Sequence, residues 1–394
     1  MVEYRGLCKA EHLRAAAAIE WIDPGQSPAI NEGGIPSIME KAVYAFHLNG
    51  NPTKCTTFGH GHINHTLKVT TDTGAEYILQ KINRYVFKDP ASVMQNVGAV
   101  TDYIRERVED PRLCLHFLTT KDGKFHYEDD QGNFWRMYDF VGGFCLDTPE
   151  SDEDFYQSAL AFGRFQQMLS DYDADSLTET IPEFHNTIDR YRQFKESVAA
   201  DRVGRANQVR DEIEFVLARE EKGSTLQKMR CSGQLPLRVT HNDTKLNNVL
   251  LDGENRRSLC VLDLDTVMPG LSAYDFGDSI RFGAATAAED ERDVSKMGLD
   301  LHLFEVYTRG FLEAAISLTD LEVKMLPMGA YVMTLEVGLR FLKDYLDGDL
   351  YFKTDYPEHN LIRARTQLKL VEDMEQKMDQ MDRIVAQVAE QVRR

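Results

Sequence analysis

Positive charge is scarce in this chain. Across 394 residues, 45 basic side chains stand against 64 acidic ones, a net charge of −19. A protein this acidic repels a nucleic-acid backbone rather than releasing its counterions, which argues against nucleic acid as a partner. There is no basic amphipathic stretch for an anionic membrane, and no apolar run nears the ~20 residues of a membrane helix. The N-terminal stretch carries Glu3 and Glu11 and lacks a clean apolar core, so it does not read as a signal peptide. Six scattered cysteines (Cys8, Cys55, Cys114, Cys145, Cys231, Cys260) form no C-x-x-C pair, and reduced thiols in a cytoplasmic protein are expected. Internal repeats and low-complexity tracts are absent. What an acidic chain can still bind is a polyphosphate whose charge a metal ion offsets. Hydrophobic content of 42% with 28% charged residues is ordinary globular composition, and the length suffices for two lobes.

The pattern along the chain divides it into three parts. Residues 1–40 read as an appendage and linker, with helical composition from Lys9 to Ile22 and a Pro/Gly/Asn-rich stretch after it. Residues 41–141 favour strands: Leu67–Thr71 and Ala75–Gln80 flank the turn Asp72-Thr73-Gly74 as a hairpin. Pro90 opens a helix through Glu109, and Leu115–Thr119 and Phe134–Phe140 are further strand candidates. Residues 142–394 are helical in period except for a β-rich island at Leu237–Thr266. The expectation is an α+β chain, with a small sheet lobe, a larger helical lobe and a cleft at the join. In the last helix, Val371, Met374, Met378, Met381, Val385, Val388 and Val392 form a heptad seam. It reads either as a coiled-coil dimer or, in the preferred reading of a monomer, as an amphipathic helix lying on its own lobe.

The chemistry concentrates between Leu237 and Phe282. His241-x-Asp243 followed by Asn248 has the spacing H-x-D-x-x-x-x-N of a kinase catalytic loop. Phosphoryl transfer needs a carboxylate to orient the acceptor hydroxyl, and Mg²⁺ on hard oxygen ligands to offset phosphate charge. Downstream, Asn248 to Leu251 and Ser258 to Leu264 form a short hairpin. Folding it about a centre near position 255.5 places Asn248 opposite Asp263, close enough to share a metal. Strand alternation turns Asp265 to the same side. Asp275-Phe276-Gly277 spells the D-F-G of protein kinases, but it lies beyond a Pro/Gly loop at the start of a helix. The preferred metal ligand is therefore Asp263, with Asp275 bracing the loop or capping that helix.

The segments H-N-D-T-K-L-N-N, V-L-D-L-D-T and Y-D-F-G-D resemble the aminoglycoside phosphotransferase and choline kinase superfamily. Within it, residues 45–390 are similar to the N-acetylhexosamine 1-kinases. Further matches are Gly61-His62-Ile63-Asn64, Tyr77-Ile78-Leu79-Gln80, Gly338-Leu339-Arg340-Phe341-Leu342 and Tyr356-Pro357-Glu358-His359-Asn360-Leu361. The resemblance implies a bilobal protein-kinase-like fold and ATP-dependent phosphorylation of the C1 hydroxyl of N-acetylglucosamine or N-acetylgalactosamine. It implies Asp243 as base, Asn248 and Asp263 as ligands of Mg²⁺ (or Mn²⁺), and His241 and Asp275 as support. Sugar contacts are implied from His62, Asp243, Asp263, Thr266, Arg340 and Tyr351. ATP contacts are implied from Cys55, Gln80, Phe282 and the hinge Tyr138–Val141.

Two departures qualify this picture. Gln80 stands where kinases place a phosphate-binding Lys, and Lys81 alternates to the opposite strand face. The helix from Pro90 offers Gln95 and Asn96 rather than an early Glu, so a neutral amide contact would replace the usual ion pair. Choline or aminoglycoside kinases and a nucleotide-binding pseudokinase remain as rival readings. His60 and His62 share a strand face, but zinc needs more ligands than they supply. Arg340 could alternatively be structural, since Glu336 and Asp344 lie one turn to either side of it.

Overall fold

A computed structural model describes residues 40–58, 64–84 and 87–392. The chain divides into two compact units, one reaching Ala91 and including Phe117–Phe140, the other comprising Ser92–His116 and everything from Val141. The single cut expected near residue 141 is thus corrected, because 92–116 goes with the helical unit. There, Asn96 donates to the carbonyls of Thr178 (2.7 Å) and Val267 (3.0 Å), tying its helix to the β-rich island.

The first unit has a short helix, α1 (Glu40–Ala45), and five antiparallel strands: β1 (Pro52–Thr57), β2 (His65–Thr71), β3 (Glu76–Ile82), β4 (Tyr127–Glu128) and β5 (Phe134–Asp139). Their order in the sheet is β1-β2-β3-β5-β4. The expected hairpin is β2–β3. Alternation sends Leu67, Val69, Tyr77, Leu79, Trp135 and Met137 to one face, where they form a core with Ala42, Val43 and Phe46. Leu115–Thr119 is not a strand; Phe117 makes one isolated bridge to Tyr138.

The helical unit opens with α2 (Pro90–Arg105), counted in it from Ser92, which ends four residues before the predicted Glu109. The chain there turns toward Pro111, and the Asp110 side chain caps the turn by accepting from the Arg112 N–H. The unit continues with α3 (Asp152–Met168), α4 (Thr187–Ala200), α5 (Arg210–Leu217), α6 (Glu220–Gly223) and α7 (Thr225–Cys231). Then come two small antiparallel pairs, β6 (Arg238–Thr240) with β9 (Met268–Gly270) and β7 (Val249–Leu251) with β8 (Ser258–Val261). The remaining helices are α8 (Ser272–Gly283), α9 (Leu301–Ala314), α10 (Asp320–Lys324), α11 (Leu326–Asp347) and α12 (His359–Val392).

Helix α8 is the buried axle of this unit. It crosses α11 backbone to backbone: a Cβ on Gly277 would stand 2.3 Å from the Gly329 carbonyl oxygen, so only glycine permits the approach. Most of the heptad seam of α12 is covered within the chain, with Met378 and Val392 half-buried. Val371, Met374, Met381, Val385 and Val388 are buried, and α12 packs on α9 and α11. No helix among the described residues is long and apolar enough to cross a membrane.

Candidate active site

The segment after β6 enters the site through a left-handed residue, Asn242 (φ 63°). Asparagine tolerates that conformation because its short side chain bonds locally. Here its amide donates to the carbonyls of Thr240 (3.2 Å) and Thr266 (2.9 Å). Beneath the loop lies the fully buried Asp275, in the first turn of α8. It accepts from the N–H of His241 (2.9 Å), the N–H of Asn242 (2.8 Å) and the Gln166 amide (2.9 Å). Its carboxylate is therefore used up on the loop, and the D-F-G tripeptide is a packing element: Phe276 is in the core and Gly277 makes the helix crossing. Burial leaves the Asp275 carboxyl above its ordinary range, with His241 and the amide donors acting in the opposite direction. His241 Nε2 donates to the Leu262 carbonyl (2.7 Å), and Nδ1 accepts from the Asp243 N–H (3.3 Å). Rings of Phe162 and Phe165 hold it edge-on.

Asp243 is half-buried at the end of this brace. Asn248 donates to its carbonyl (2.8 Å) and to Oδ2 (3.3 Å), which leaves Asn248 Oδ1 as that side chain's acceptor. The hairpin register corrects the expected one. Val249 pairs with Val261, and the Leu262 N–H donates to the Asn248 carbonyl (2.8 Å), so Leu262 rather than Asp263 lies opposite Asn248. Asp263 follows in a left-handed conformation (φ 54°) and is exposed. The strand ends there, and Leu264–Thr266 forms a 3-10 turn. Asp265 is accordingly buried instead of sharing the side of Asp263, because alternation stops where the strand does. Among the described residues no three His, Cys, Asp or Glu side chains form a metal cage. Mg²⁺ needs none, because it takes one or two protein oxygens and completes its shell with phosphate and water. Asn248 Oδ1 and the Asp263 carboxylate are donors of that kind.

The expected acceptor contacts divide. Thr266 spends its hydroxyl proton on the His241 carbonyl (2.6 Å), as part of the brace. His62, and the paired His60, lie outside the described residues. Arg340 sits on α11 with its guanidinium near the rings of Phe184 (5.4 Å), Phe352 (5.6 Å) and Tyr351 (5.9 Å). Its link to Glu336 is long, 4.0 Å. Asp344, the other suggested partner, is occupied elsewhere. It accepts from the N–H groups of Leu350 (2.9 Å), Tyr351 (2.8 Å) and Phe352 (2.9 Å), and from the buried Asn360 amide (2.9 Å). That carboxylate shapes the loop that presents Tyr351, whose exposure is 70%. Glu336 is buried and bonded to His185 (3.0 Å). Burial pushes its carboxyl up, but His185, Arg190 and Arg340 outweigh that and hold it below its ordinary 4.5. His185 in turn lies close enough to Asp278 on α8 to help depress it.

The expected nucleotide contacts fall in both units and, within the first, on both sheet faces. Gln80 and Tyr138 lie on the sheet face opposite the core, whereas Cys55 pairs with Val69 and packs against the core. Two-residue periodicity therefore separates Cys55 from Gln80. Val141 and Phe282, the latter in the last turn of α8, belong to the other unit.

The family model for the phosphotransferase enzyme family matches residues 54–301, more than half of the chain. The protein belongs to this family. The catalytic-loop residues and Asp263 fall inside the match. Among solved structures, an amicoumacin kinase in complex with AMP-PNP and Ca²⁺ is similar at 13% identity and TM-score 0.57, over 86% of this chain and 92% of that one. An aminoglycoside phosphotransferase from Alicyclobacillus acidocaldarius is similar at 14% identity and TM-score 0.57 (94% and 98% of the two chains). A Plasmodium vivax ethanolamine kinase is similar at 14% and 0.52 (82% and 84%). At such identities the likeness is one of fold: α+β and kinase-like.

Sequence reasoning passed over one cation in this phosphotransferase's catalytic loop. Lys245 Nζ lies 2.8 Å from Asp243 Oδ1. Burial pulls Lys245 down, but Asp243 and Asp278 outweigh it and leave its pKa raised. The signal was available as a lysine two residues after the aspartate. Arg136 was passed over too: this charge within the otherwise apolar run Phe134-Trp135-Arg136-Met137 is buried, bonded to Gln80 (2.9 Å) and 5.7 Å from the Phe117 ring.

Proposed function

We propose that this phosphotransferase uses Mg-ATP (or Mn-ATP) to phosphorylate the C1 hydroxyl of a neutral N-acylated hexose, giving the sugar 1-phosphate and ADP. Asp243 accepts the hydroxyl's hydrogen bond and proton, His241 and Asp275 fix its backbone, and Asn248 with Asp263 would hold the metal. The bound metal would supply charge neutralisation on the phosphates. An anomeric hydroxyl is more acidic than an ordinary alcohol, which eases transfer of its proton to a carboxylate. A cytoplasmic setting, with ATP and free sugar as the small-molecule partners, goes with this reading.

The observation that carries the acceptor class is the charge of the Arg340 cluster. Two guanidiniums meet at Phe184, since Arg190 donates to its carbonyl (3.3 and 2.7 Å) and Arg340 lies 5.4 Å from its ring, beside one buried carboxylate, Glu336; burial first, and then the charge of Arg340, depress Arg190. With Phe184, Tyr351 and Phe352 around Arg340, this suits a hydroxyl-rich, carbonyl-bearing ring. A quaternary ammonium or polyamine would be repelled. The fold is nevertheless shared with an ethanolamine kinase, so an amine-bearing acceptor is the second reading.

ADP release measured over N-acetylglucosamine, N-acetylgalactosamine, glucose, galactose, choline, ethanolamine and an aminoglycoside separates the two. Turnover on the N-acetylhexosamines and not on the cations is expected. Turnover confined to a cation would sink the sugar reading, and ATP binding without turnover on any acceptor would favour a pseudokinase.

A further inference from the structure

The helical unit holds a cavity of about 30 Å³ beside the β7–β8 hairpin, lined from α2, α3, the turn at Leu113 and β8. Its floor is buried and apolar, made by Ile104, Phe165, Cys260 and Leu264. Leu113, Arg164 and Met168 also line it, and these three are only half-buried, so they mark its mouth. The floor is shared with the structure that seats the catalytic loop. Phe165 stands edge-on to His241 (6.0 Å), and the lining residues Val261 and Leu264 flank Leu262 and Asp263.

A cavity of this volume has room for about two water- or methylene-sized groups, but apolar walls give water few partners. The thiols of Cys114 and Cys260 do not change that. Burial raises both above the ordinary thiol range, so they stay protonated. Cys114 Sγ already turns to the carbonyls of Thr101 (3.7 Å) and Leu115 (3.4 Å). The polarity of the cavity therefore sits at its mouth, in Arg164.

Arg164 is a cation without a counter-ion. Its guanidinium makes one hydrogen bond, from Nη1 to the Ser258 carbonyl, and at 3.4 Å that bond is long. No carboxylate among the described residues pairs with it. Burial lowers its pKa, Tyr156 opposes that, and Arg257 reinforces it, so a second cation is within reach; a guanidinium nevertheless stays charged. Arginines close by are treated differently. Arg112 pairs with Asp110 (2.9 Å) and Asp252 (3.0 Å), and Arg256 pairs with Glu150 and Asp154 (both 2.9 Å). In a chain with 64 acidic side chains against 45 basic ones, an uncompensated guanidinium at the mouth of a cavity is a seat for an anion.

We propose that this cavity binds a short aliphatic monocarboxylate, with the end of its chain against Phe165, Cys260 and Leu264 and its carboxylate on Arg164. The lining selects for that shape. It offers an apolar interior and a single cationic head at the mouth, and no carboxylate lines it to hold an ammonium. Asp243, Asn248 and Asp263 do not line the cavity, so such a ligand would rest on the catalytic hairpin without entering the reaction.

The test follows the methionine methyl resonances of the isotope-labelled full chain, with the Met168 signal assigned through Met168→Leu. Sodium butyrate, butanol and butylamine are titrated separately at constant ionic strength. Butyrate is expected to shift the Met168 signal saturably, with a Kd of about 1 mM. Butanol should bind about tenfold more weakly, and butylamine should leave the signal in place. In Arg164→Leu, butyrate should bind no more tightly than butanol. The proposal is overturned by no saturable Met168 shift up to about 50 mM butyrate, by equal affinity for butyrate and butylamine, or by full butyrate affinity in Arg164→Leu. Should Arg164→Leu fail to fold, the order of the three probes on the wild type decides: butyrate first supports the proposal, and a tie or any other order overturns it.

Discussion

The catalytic loop and the Tyr351 loop are each shaped by one buried aspartate, but to different ends. Asp275 accepts from the backbone of His241 and Asn242, and the side chains above it are buried or bonded in turn. Thr244 donates to the Asp275 carbonyl (2.5 Å), Ser279 to the Thr244 carbonyl (2.7 Å) and Thr266 to that of His241 (2.6 Å). Asp344 accepts three consecutive N–H groups, from Leu350, Tyr351 and Phe352, and leaves the ring of Tyr351 in solvent. The first arrangement holds a loop both by its backbone and by the buried side chains packed on it. The second fixes only a backbone and lets the side chain be exchanged. One scaffold can thus hold one loop constant while the side chains of another vary, as expected where function lives in sites built on a shared fold.

The sharpest way to break this contrast is at Asp243. Under the proposed chemistry, Asp243→Asn keeps the shape of the loop and removes the base. Turnover should fall by about 10²–10⁴-fold, with Mg-ATP affinity and thermal stability near those of wild type. Near-normal turnover would remove Asp243 from the chemistry, and a parallel collapse of stability would make it one more brace.

Much of this region was legible in the sequence because its signals are local. H-x-D-x-x-x-x-N and the following hairpin are set by short-range spacing, and the positions of Asp243, Asn248 and Asp263 in one loop-and-hairpin segment follow from it. The hairpin register was missed by one residue, since a strand irregularity between Val249 and Leu251 is invisible to a symmetric fold-back count. Asp265 was misplaced because a left-handed Asp263 ends the strand. Cys55 and Gln80 were assigned to one ligand from matched motifs, whereas strand parity, countable in the sequence once the register is known, separates them. The Asp344 contacts were beyond reach, as they depend on how a loop returns over the end of α11.

The two regions are joined through Asp278, His185, Glu336 and Arg340, and pH tests that link. The folded-state pKa of Glu336 lies below its ordinary 4.5, so its contribution to stability is complete above that value and is lost as pH falls through the lowered one. Glu336→Gln should therefore cost about 3 kcal/mol at neutral pH, and the gap from wild type should narrow as the pH drops below about 4. Urea unfolding at a series of pH values between 7 and 3.5 reads this directly. A gap that stays constant across the range would mean that the carboxylate's charge contributes nothing and that its hydrogen bond with His185 accounts for the loss.

The smallest effect is expected at Tyr351, and it is the most specific. The ring is exposed, it meets Phe352 edge to face (4.8 Å between centroids), and the loop beneath it is held through backbone N–H groups that do not depend on the side chain. Tyr351→Ala should leave the melting temperature within about a degree of wild type, as exposed substitutions usually do. If the ring forms one wall of the acceptor site, the KM for the sugar should rise about five- to tenfold, about 1 kcal/mol of stacking. The KM for ATP and kcat should change little, the pattern of lost uniform binding. Replacing the brace instead, with Asp344→Asn, puts an amide donor against three N–H groups and should move both quantities, stability and acceptor KM. A Tyr351→Ala enzyme whose KM for every acceptor is unchanged would show that the loop is shaped for something other than the acceptor. The guanidinium pair of Arg190 and Arg340 would then have to select the acceptor alone.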